Sequence, residues 1–132
     1  MTSLAALPAF LAHFLAGLAL LGAAFMVFTR LTPHDEMALV RRGNLPAAVA
    51  LGGSVIGVAL AIASAVSHSA GLVDAVVWAV VALLAQLGAF LATAWLLPEW
   101  RAAIERGEMA TAALKASVAI AVGLLNAAAM VP

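Results

Sequence analysis

Hydrophobic residues fill four long stretches of this chain, and nearly all of its charged residues stand in two short segments between them. The apolar stretches cover residues 4–28, 45–67, 76–97 and 109–131. Each has about the 20 residues that a helix needs to cross a hydrocarbon core of about 30 Å. Because lipid offers the backbone no hydrogen-bond partners, such segments must be helical. The pattern predicts an all-α membrane protein whose four transmembrane helices form a single domain over residues 1–132.

Composition supports this class of protein and excludes others. The chain is 67% hydrophobic and 9% charged, which is more apolar surface than a soluble domain of 132 residues could bury. Its formal net charge is zero and it has no cysteine. Neutrality removes a general attraction to nucleic acid, and without cysteine there is no disulfide or thiolate metal site. The lipid bilayer is therefore the expected partner, and nucleic acid is not.

The basic residues lie on one side of the predicted membrane. All six lysines and arginines follow the first or the third stretch, while residues 67–75 and both ends of the chain have none. Because basic loops are retained in the cytoplasm, we expect cytoplasmic charged loops and periplasmic termini. Trp95 and Trp100 are expected at the cytoplasmic boundary and Trp78 at the other one. Asp74, the single acid outside the charged loops, is expected to cap the third helix.

Each charged loop has the features of a short helix lying at the membrane interface. In the first, residues 33–42, proline suits the first helical position and the glycine that follows can end the helix in a left-handed conformation. Residues 98–106 repeat the arrangement, again between a proline and a glycine. The polar residue after the first glycine can cap the second long helix. The residues of this first-loop motif are Thr32, Pro33, Glu36, Arg42, Gly43 and Asn44.

The two halves of the chain resemble each other. Aligning the two Arg-Gly pairs sets "RGNLPAAVALGGSVIGVALAIASA" over "RGEMATAALKASVAIAVGLLNAAA". We interpret this as two helical hairpins, about residues 4–67 and 74–131, that enter the membrane in the same direction and are related by a pseudo-two-fold axis along its normal. Gly53 and Gly57 form a GxxxG pair, which favours close packing of helices.

These segments carry a resemblance to a known family. The first-loop stretch "LTPHDEMALVRRGNLPAA", followed by "GGSVIGVALAIASA" and later by "GLLNAAA", is similar to the bacterial domain-of-unknown-function family 350, the YjfL-like membrane proteins. The similarity extends over essentially the whole chain. It implies a small multispanning protein of the bacterial inner membrane built from two hairpins. Because members often accompany membrane-stress proteins, it also implies a role near envelope maintenance, without a defined activity.

Polar side chains inside the predicted helices are the candidates for function, because such groups are costly in lipid. Lys115 either extends to the headgroups or lines a pore or ligand site. His13 either transfers protons or hydrogen-bonds a neighbouring helix. Gln86 and Asn126 either join helices or line an aqueous path.

Catalytic and metal sites are not expected. The serines in the predicted spans have no acid or histidine at matching depth, apart from His13, so we predict no enzyme and no cofactor. His34, Asp35 and Glu36 are adjacent in sequence, and on a helix such neighbours point in different directions, which does not suit a metal. No acid lies within a predicted span, so a small proton-coupled exporter would lack its central carboxylate.

Two functions remain. One is a homo-oligomeric channel or passive transporter for small ions, lined by the polar residues of the spans, with an anion preference from the field of Lys115. The other is a non-conducting scaffold that recruits a cytoplasmic envelope-stress protein through its charged loops. The small-residue faces favour self-association.

Overall fold

The computed structural model describes residues 4–31 and 36–130, which form helices and no strand. After a 3-10 turn at Leu4–Ala6, the helices are α1 (Leu7–Leu31), α2 (Glu36–Arg41), α3 (Leu45–His68), α4 (Leu72–Leu96), α5 (Trp100–Glu105) and α6 (Met109–Ala129). The four long helices are long and apolar enough to cross a membrane, which confirms the predicted number of spans. Thr32, Pro33, His34 and Asp35 lie outside the described residues.

Two predicted helix starts differ from the structure. Helix α4 begins at Leu72 instead of residue 76, and its N-cap is Gly71. The prediction that Asp74 caps this helix is therefore wrong. Asp74 lies in the first turn, where its Oδ2 accepts a hydrogen bond from the Ala70 N–H at 3.0 Å, and its charge still faces the positive helix end. The second loop helix, α5, begins at Trp100, after Pro98.

Helices α3 and α6 form the tightest pair in the described bundle. A Cβ added to Gly57 would overlap the backbone carbonyl of Ala119, and one added to Gly123 would overlap the backbone of Gly57. Such close backbone approach gives van der Waals contact that side chains would prevent. Contacting residues advance together along both helices, so α3 and α6 run in the same direction. The pairs are Gly53 with Ala116, Gly57 with Gly123 and Ser64 with Ala127.

Helix α4 packs against both of these helices and is joined to α6 by two amide side chains. Gln86 Nε2 on α4 donates to Ala119 O on α6 at 3.1 Å. Asn126 Nδ2 on α6 donates to Ala82 O on α4 at 2.9 Å. These reciprocal bonds connect α4 and α6 at two levels, so that α3, α4 and α6 form the core of the bundle.

Helix α1 is peripheral. In the half nearer to α2 it packs against α3, with Ala24 buried beside Val58 and Ile62. Towards its N-terminal end a lateral groove of about 700 Å³ lies between α1 and α3, and His13 is one of its lining residues. Phe10 and Phe14 line the same groove and stack with ring centroids 5.7 Å apart.

The turns after α2 and α5 have the same backbone structure. Gly43 and Gly107 have φ values of 84° and 87°, the left-handed conformation expected of a C-terminal glycine. The N–H of each glycine donates at 3.0 Å to a helix carbonyl three residues earlier. The next residues, Asn44 and Glu108, each donate at 2.9 Å to the carbonyl five residues earlier. Both turns are thus Schellman motifs.

The side chains after the two glycines act differently. Asn44 Oδ1 accepts from the Ala47 N–H at 2.8 Å, and Nδ2 donates to Ile104 O at 2.9 Å. Glu108 forms no such cap with the described residues and instead pairs with Arg106, its Oε2 accepting from Nε at 2.7 Å. Within residues 4–31 and 36–130, the first turn is thus the one whose side chain connects its own helix start to the other loop helix.

We predict that Asn44→Ala lowers the free energy of unfolding by about 1–2 kcal/mol, through loss of a helix cap and one interhelical hydrogen bond. Glu108→Ala is the matched control at the equivalent turn and should change stability by less than about 0.5 kcal/mol, because it removes only an exposed ion pair. Unfolding in detergent, followed by circular dichroism, measures both. Equal losses would contradict the assigned role of Asn44.

Candidate functional site

Lys115 is buried between helices near the ends that carry the charged loops. It lies in the second turn of α6, is 7% exposed, and its Nζ lies 4.0 Å from the ring centroid of Trp100 and 4.6 Å from that of Phe90. Ring faces attract cations, and more strongly where water is excluded. The Lys115 ammonium is therefore held inside the bundle, against the faces of two aromatic rings.

Trp100 reaches this position because α5 folds back onto the bundle. Trp100 and Ile104 are one turn apart on α5, and both pack with Ala47 of α3 and Ala112 of α6 in one buried cluster. Trp100 is 3% exposed, so its indole packs inside the bundle and does not face lipid. The small alanines of the long helices leave the space that the indole ring fills. Trp95 is 81% exposed, as expected at a membrane boundary.

Glu36 supplies the acidic group of the site. As the first residue of α2 it lines a cavity of about 10 Å³ together with Lys115, Trp100 and Phe90, and its carboxylate attracts the lysine ammonium. Burying a lone ammonium in a bundle of apolar helices would be costly without such a partner. We call this the loop-side cavity. The sequence placed Glu36 in the first-loop motif and did not connect it with Lys115.

A second cavity of about 20 Å³ lies deeper in the bundle and is also lined by Lys115 and Phe90. Gln86 lines it and is 3% exposed. Its amide orientation follows from chemistry: Ala119 O can only accept, so Nε2 faces it and Oε1 is left on the other side. Among the described residues Oε1 has no hydrogen-bond partner. We call this space the deep cavity.

Two residues with hydroxyl groups, Ser54 and Thr93, also line the deep cavity. Ser54 Oγ donates to Ala50 O at 3.2 Å, and Thr93 Oγ1 donates to Ala89 O at 2.8 Å. Because each hydroxyl proton is directed to its own helix, the remaining lone pairs can only accept. Ser54, Thr93 and Gln86, which line the deep cavity beside Lys115, thus each have a side-chain oxygen that can accept a hydrogen bond.

The remaining candidates are not part of these cavities. His13 lies on α1 beside the lateral groove, and its Nδ1 donates to Ala9 O at 2.8 Å within the same helix. Asn126 joins α6 to α4, and Gly53 and Gly57 lie in the seam between α3 and α6. Arg42 is exposed beside Gly43 in the first turn. In the part of the chain that the structure describes, no group of three or more His, Cys, Asp or Glu residues could hold a metal ion.

Trp100 and Phe90 are the functional candidates that sequence reasoning missed. A usable signal was present, since aligning Gly43 with Gly107 also places Glu36 over Trp100. Both residues begin their loop helix, and both line the loop-side cavity. The aligned position of Lys115 is Leu51, so the site combines residues that differ between the two halves.

Comparison with known proteins agrees with the resemblance found in the sequence. The family model described as Domain of Unknown Function (DUF350) matches residues 1–130. The UPF0719 inner membrane protein YjfL of Escherichia coli strain K12 is 29% identical over 124 residues, covering 94% of both chains, and its counterpart in strain O157:H7 matches equally. No solved structure matches the chain significantly. The matched length and the four candidate spans establish that the chain belongs to the DUF350 family.

Proposed function

We propose that this protein is a bacterial inner-membrane protein that passes small ions across the membrane, as a homo-oligomeric channel or passive transporter. The observation that carries the proposal is the buried Lys115, which lines one cavity with Glu36 and another with Gln86, whose Oε1 has no hydrogen-bond partner among the described residues. Ionisable groups inside transmembrane bundles are costly and commonly mark ion pathways. The inner-membrane location is supported by the names of the two similar proteins.

The ion path is proposed to lie between two repeated helical hairpins. Support comes from the matching turns at Gly43 and Gly107 and from α3 and α6 running in the same direction. Both features are expected when two hairpins enter the membrane with the same orientation. The Lys115 site lies where helices of the two hairpins meet. The proposed cytoplasmic side is the one with the loops, which themselves expose four arginines: Arg41, Arg42, Arg101 and Arg106.

The ion is proposed to be a cation. The groups around Lys115 stabilise positive charge, since two ring faces and one carboxylate surround it and the deep cavity adds acceptor oxygens. An anion in this position would meet acceptors and the negative faces of aromatic rings. The anion preference inferred from the charge of Lys115 alone is therefore not retained in the proposal.

Homo-oligomerisation is part of the proposal because a single chain encloses little space. The two cavities have about 10 and 20 Å³, room for about one water molecule each. A continuous path therefore needs either a second copy at the lipid-facing helices or an opening movement of the core. Helix α1, which packs against the core mainly through one half, is the element from which either change would start.

We predict that the purified protein in liposomes passes monovalent cations or protons above the level of protein-free liposomes. Gln86→Leu should lower this flux at least about tenfold, because losing one favourable polar contact of about 1.4 kcal/mol changes a rate by that factor. Asn126→Leu is the matched control, because it also removes one amide bond between α4 and α6 but lies outside both cavities. Both Asn126→Leu and His13→Ala should leave the flux unchanged.

Absence of flux from folded, correctly oriented protein would contradict the proposal. It would favour the second candidate, a scaffold that recruits a cytoplasmic protein, for which the four exposed loop arginines are the supporting observation. Reversing the charge of Arg41, Arg42, Arg101 and Arg106 should then abolish recovery of a partner in a pull-down.

A further inference from the structure

We infer that the deep cavity is a binding site for one monovalent cation of the alkali or ammonium type, and that the Lys115 ammonium is a tethered competitor for it. This inference rests on the proposed function and deepens it, since it names the class of ion and the side chain that regulates its entry. It concerns binding, however, and can be tested without transport.

The acceptor oxygens of the residues that line the cavity indicate that its ligand is a cation. Gln86 Oε1 has no partner among the described residues, and the hydroxyl protons of Ser54 and Thr93 are directed to helix carbonyls. A ligand of the cavity must therefore either donate hydrogen bonds or carry positive charge. Potassium channels likewise bind their ion through uncharged oxygens, in their case backbone carbonyls. Divalent cations usually require carboxylates, which this cavity does not offer among its described lining residues.

The size of the cavity sets the number of ions. A volume of about 20 Å³ accommodates roughly one water molecule or one dehydrated small ion. The aromatic face of Phe90 forms part of the wall and contributes further attraction for positive charge. The site is therefore suited to a single monovalent ion that has lost most of its hydration shell.

Lys115 links the two cavities. The loop-side and deep cavities share three lining residues, Ser54, Phe90 and Lys115. In the structure the ammonium lies over Trp100, which lines the loop-side cavity together with Glu36. Rotation of its flexible side chain about the shared wall would bring the same group towards Gln86 Oε1, where its three N–H donors match the acceptor oxygens.

Competition follows from this arrangement. When the ammonium is held at Glu36, its charge is partly neutralised and the oxygens of the deep cavity are available to an incoming cation. When the ammonium turns to the deep cavity, it occupies the same oxygens and repels other cations. Lys115 thereby acts as a gate whose two positions are defined by Glu36 on one side and Gln86 on the other.

The test is cation-dependent stability of the full chain in detergent. Unfolding of the original protein and of Lys115→Met is measured in KCl, NaCl and N-methylglucamine chloride at constant ionic strength, with potassium gluconate to separate the cation from chloride. We expect saturable stabilisation of Lys115→Met by potassium or sodium, with an apparent affinity at least about tenfold above that of the original protein, because the competing charge has been removed. Lys115→Gln serves the same purpose if the methionine variant does not fold.

The double variant Lys115→Met with Gln86→Leu should lose this stabilisation, whereas Lys115→Met with Asn126→Leu should retain it. Equal stability in potassium and N-methylglucamine chloride would overturn the inference. So would an effect that follows chloride, or one that survives Gln86→Leu. Saturable cation binding without liposome flux would support the site and contradict the proposed transport. Flux without saturable binding would support the transport and contradict the site.

Discussion

Replacing Gly57 with leucine is expected to separate α3 from α6 and to lower the free energy of unfolding by about 3 kcal/mol or more, because overpacking against backbone cannot be relieved by side-chain rotation. A Cβ at this position would overlap the carbonyl of Ala119 and lie 2.9 Å from Gln86 Nε2. The substitution would thus also disturb the hydrogen bond that orients Gln86. Thermal unfolding followed by circular dichroism measures the loss.

Gly52→Leu provides the matched control for Gly57→Leu. Gly52 lies on the same helix, but a Cβ added there would meet no atom within 4 Å in the described part of the chain. We expect a change of less than about 0.5 kcal/mol, as for other open positions. Leucine has a higher helix propensity than glycine, so propensity cannot explain a loss of stability in either variant. Equal losses at Gly52 and Gly57 would therefore contradict the role assigned to the α3–α6 seam.

The same glycines illustrate what the sequence could and could not predict. Four spans follow directly from length and hydropathy, because the thickness of the bilayer fixes both. The partner of the Gly53 and Gly57 face does not follow, since helices that are apolar on all sides have no polar face to orient them. Small residues occur on several helices, and only the three-dimensional arrangement selects Ala116 and Gly123 as their contacts.

The candidate site was predictable to a similar extent. Lys115 could be identified because it is the only charged residue within the predicted spans, and ionisable groups in a membrane are costly and commonly functional. Glu36 and Trp100 could not be joined to it, because they approach it through the folding of two short loop helices and not through spacing along one helix. The belt rule placed Trp100 at the membrane boundary, where an exposed indole is favourable, but α5 folds back and buries it.

The electrostatic role of Glu36 leads to the second large effect. Glu36→Gln keeps the shape of the side chain but removes the charge that compensates the buried Lys115 ammonium. Removing one partner of a buried ion pair costs about 3–5 kcal/mol, and we expect about 2 kcal/mol or less here because Glu36 is only partly buried and faces Lys115 across a shared cavity. Glu99→Gln, an exposed acid near the second loop, is the control and should be nearly neutral.

A double-mutant cycle separates this charge effect from local disturbance of α2. Lys115→Met removes the ammonium but keeps an apolar side chain beside Phe90 and Trp100, and replacing buried charges with apolar groups is often tolerated. In that background Glu36→Gln has no buried charge to leave unpaired, so its cost should fall by about 1–2 kcal/mol, the coupling energy of the pair. Additive costs would show that Glu36 stabilises α2 independently of Lys115. A clear coupling would instead establish that the first charged loop and α6 are joined through the attraction between these two charges, on which cation entry is proposed to depend.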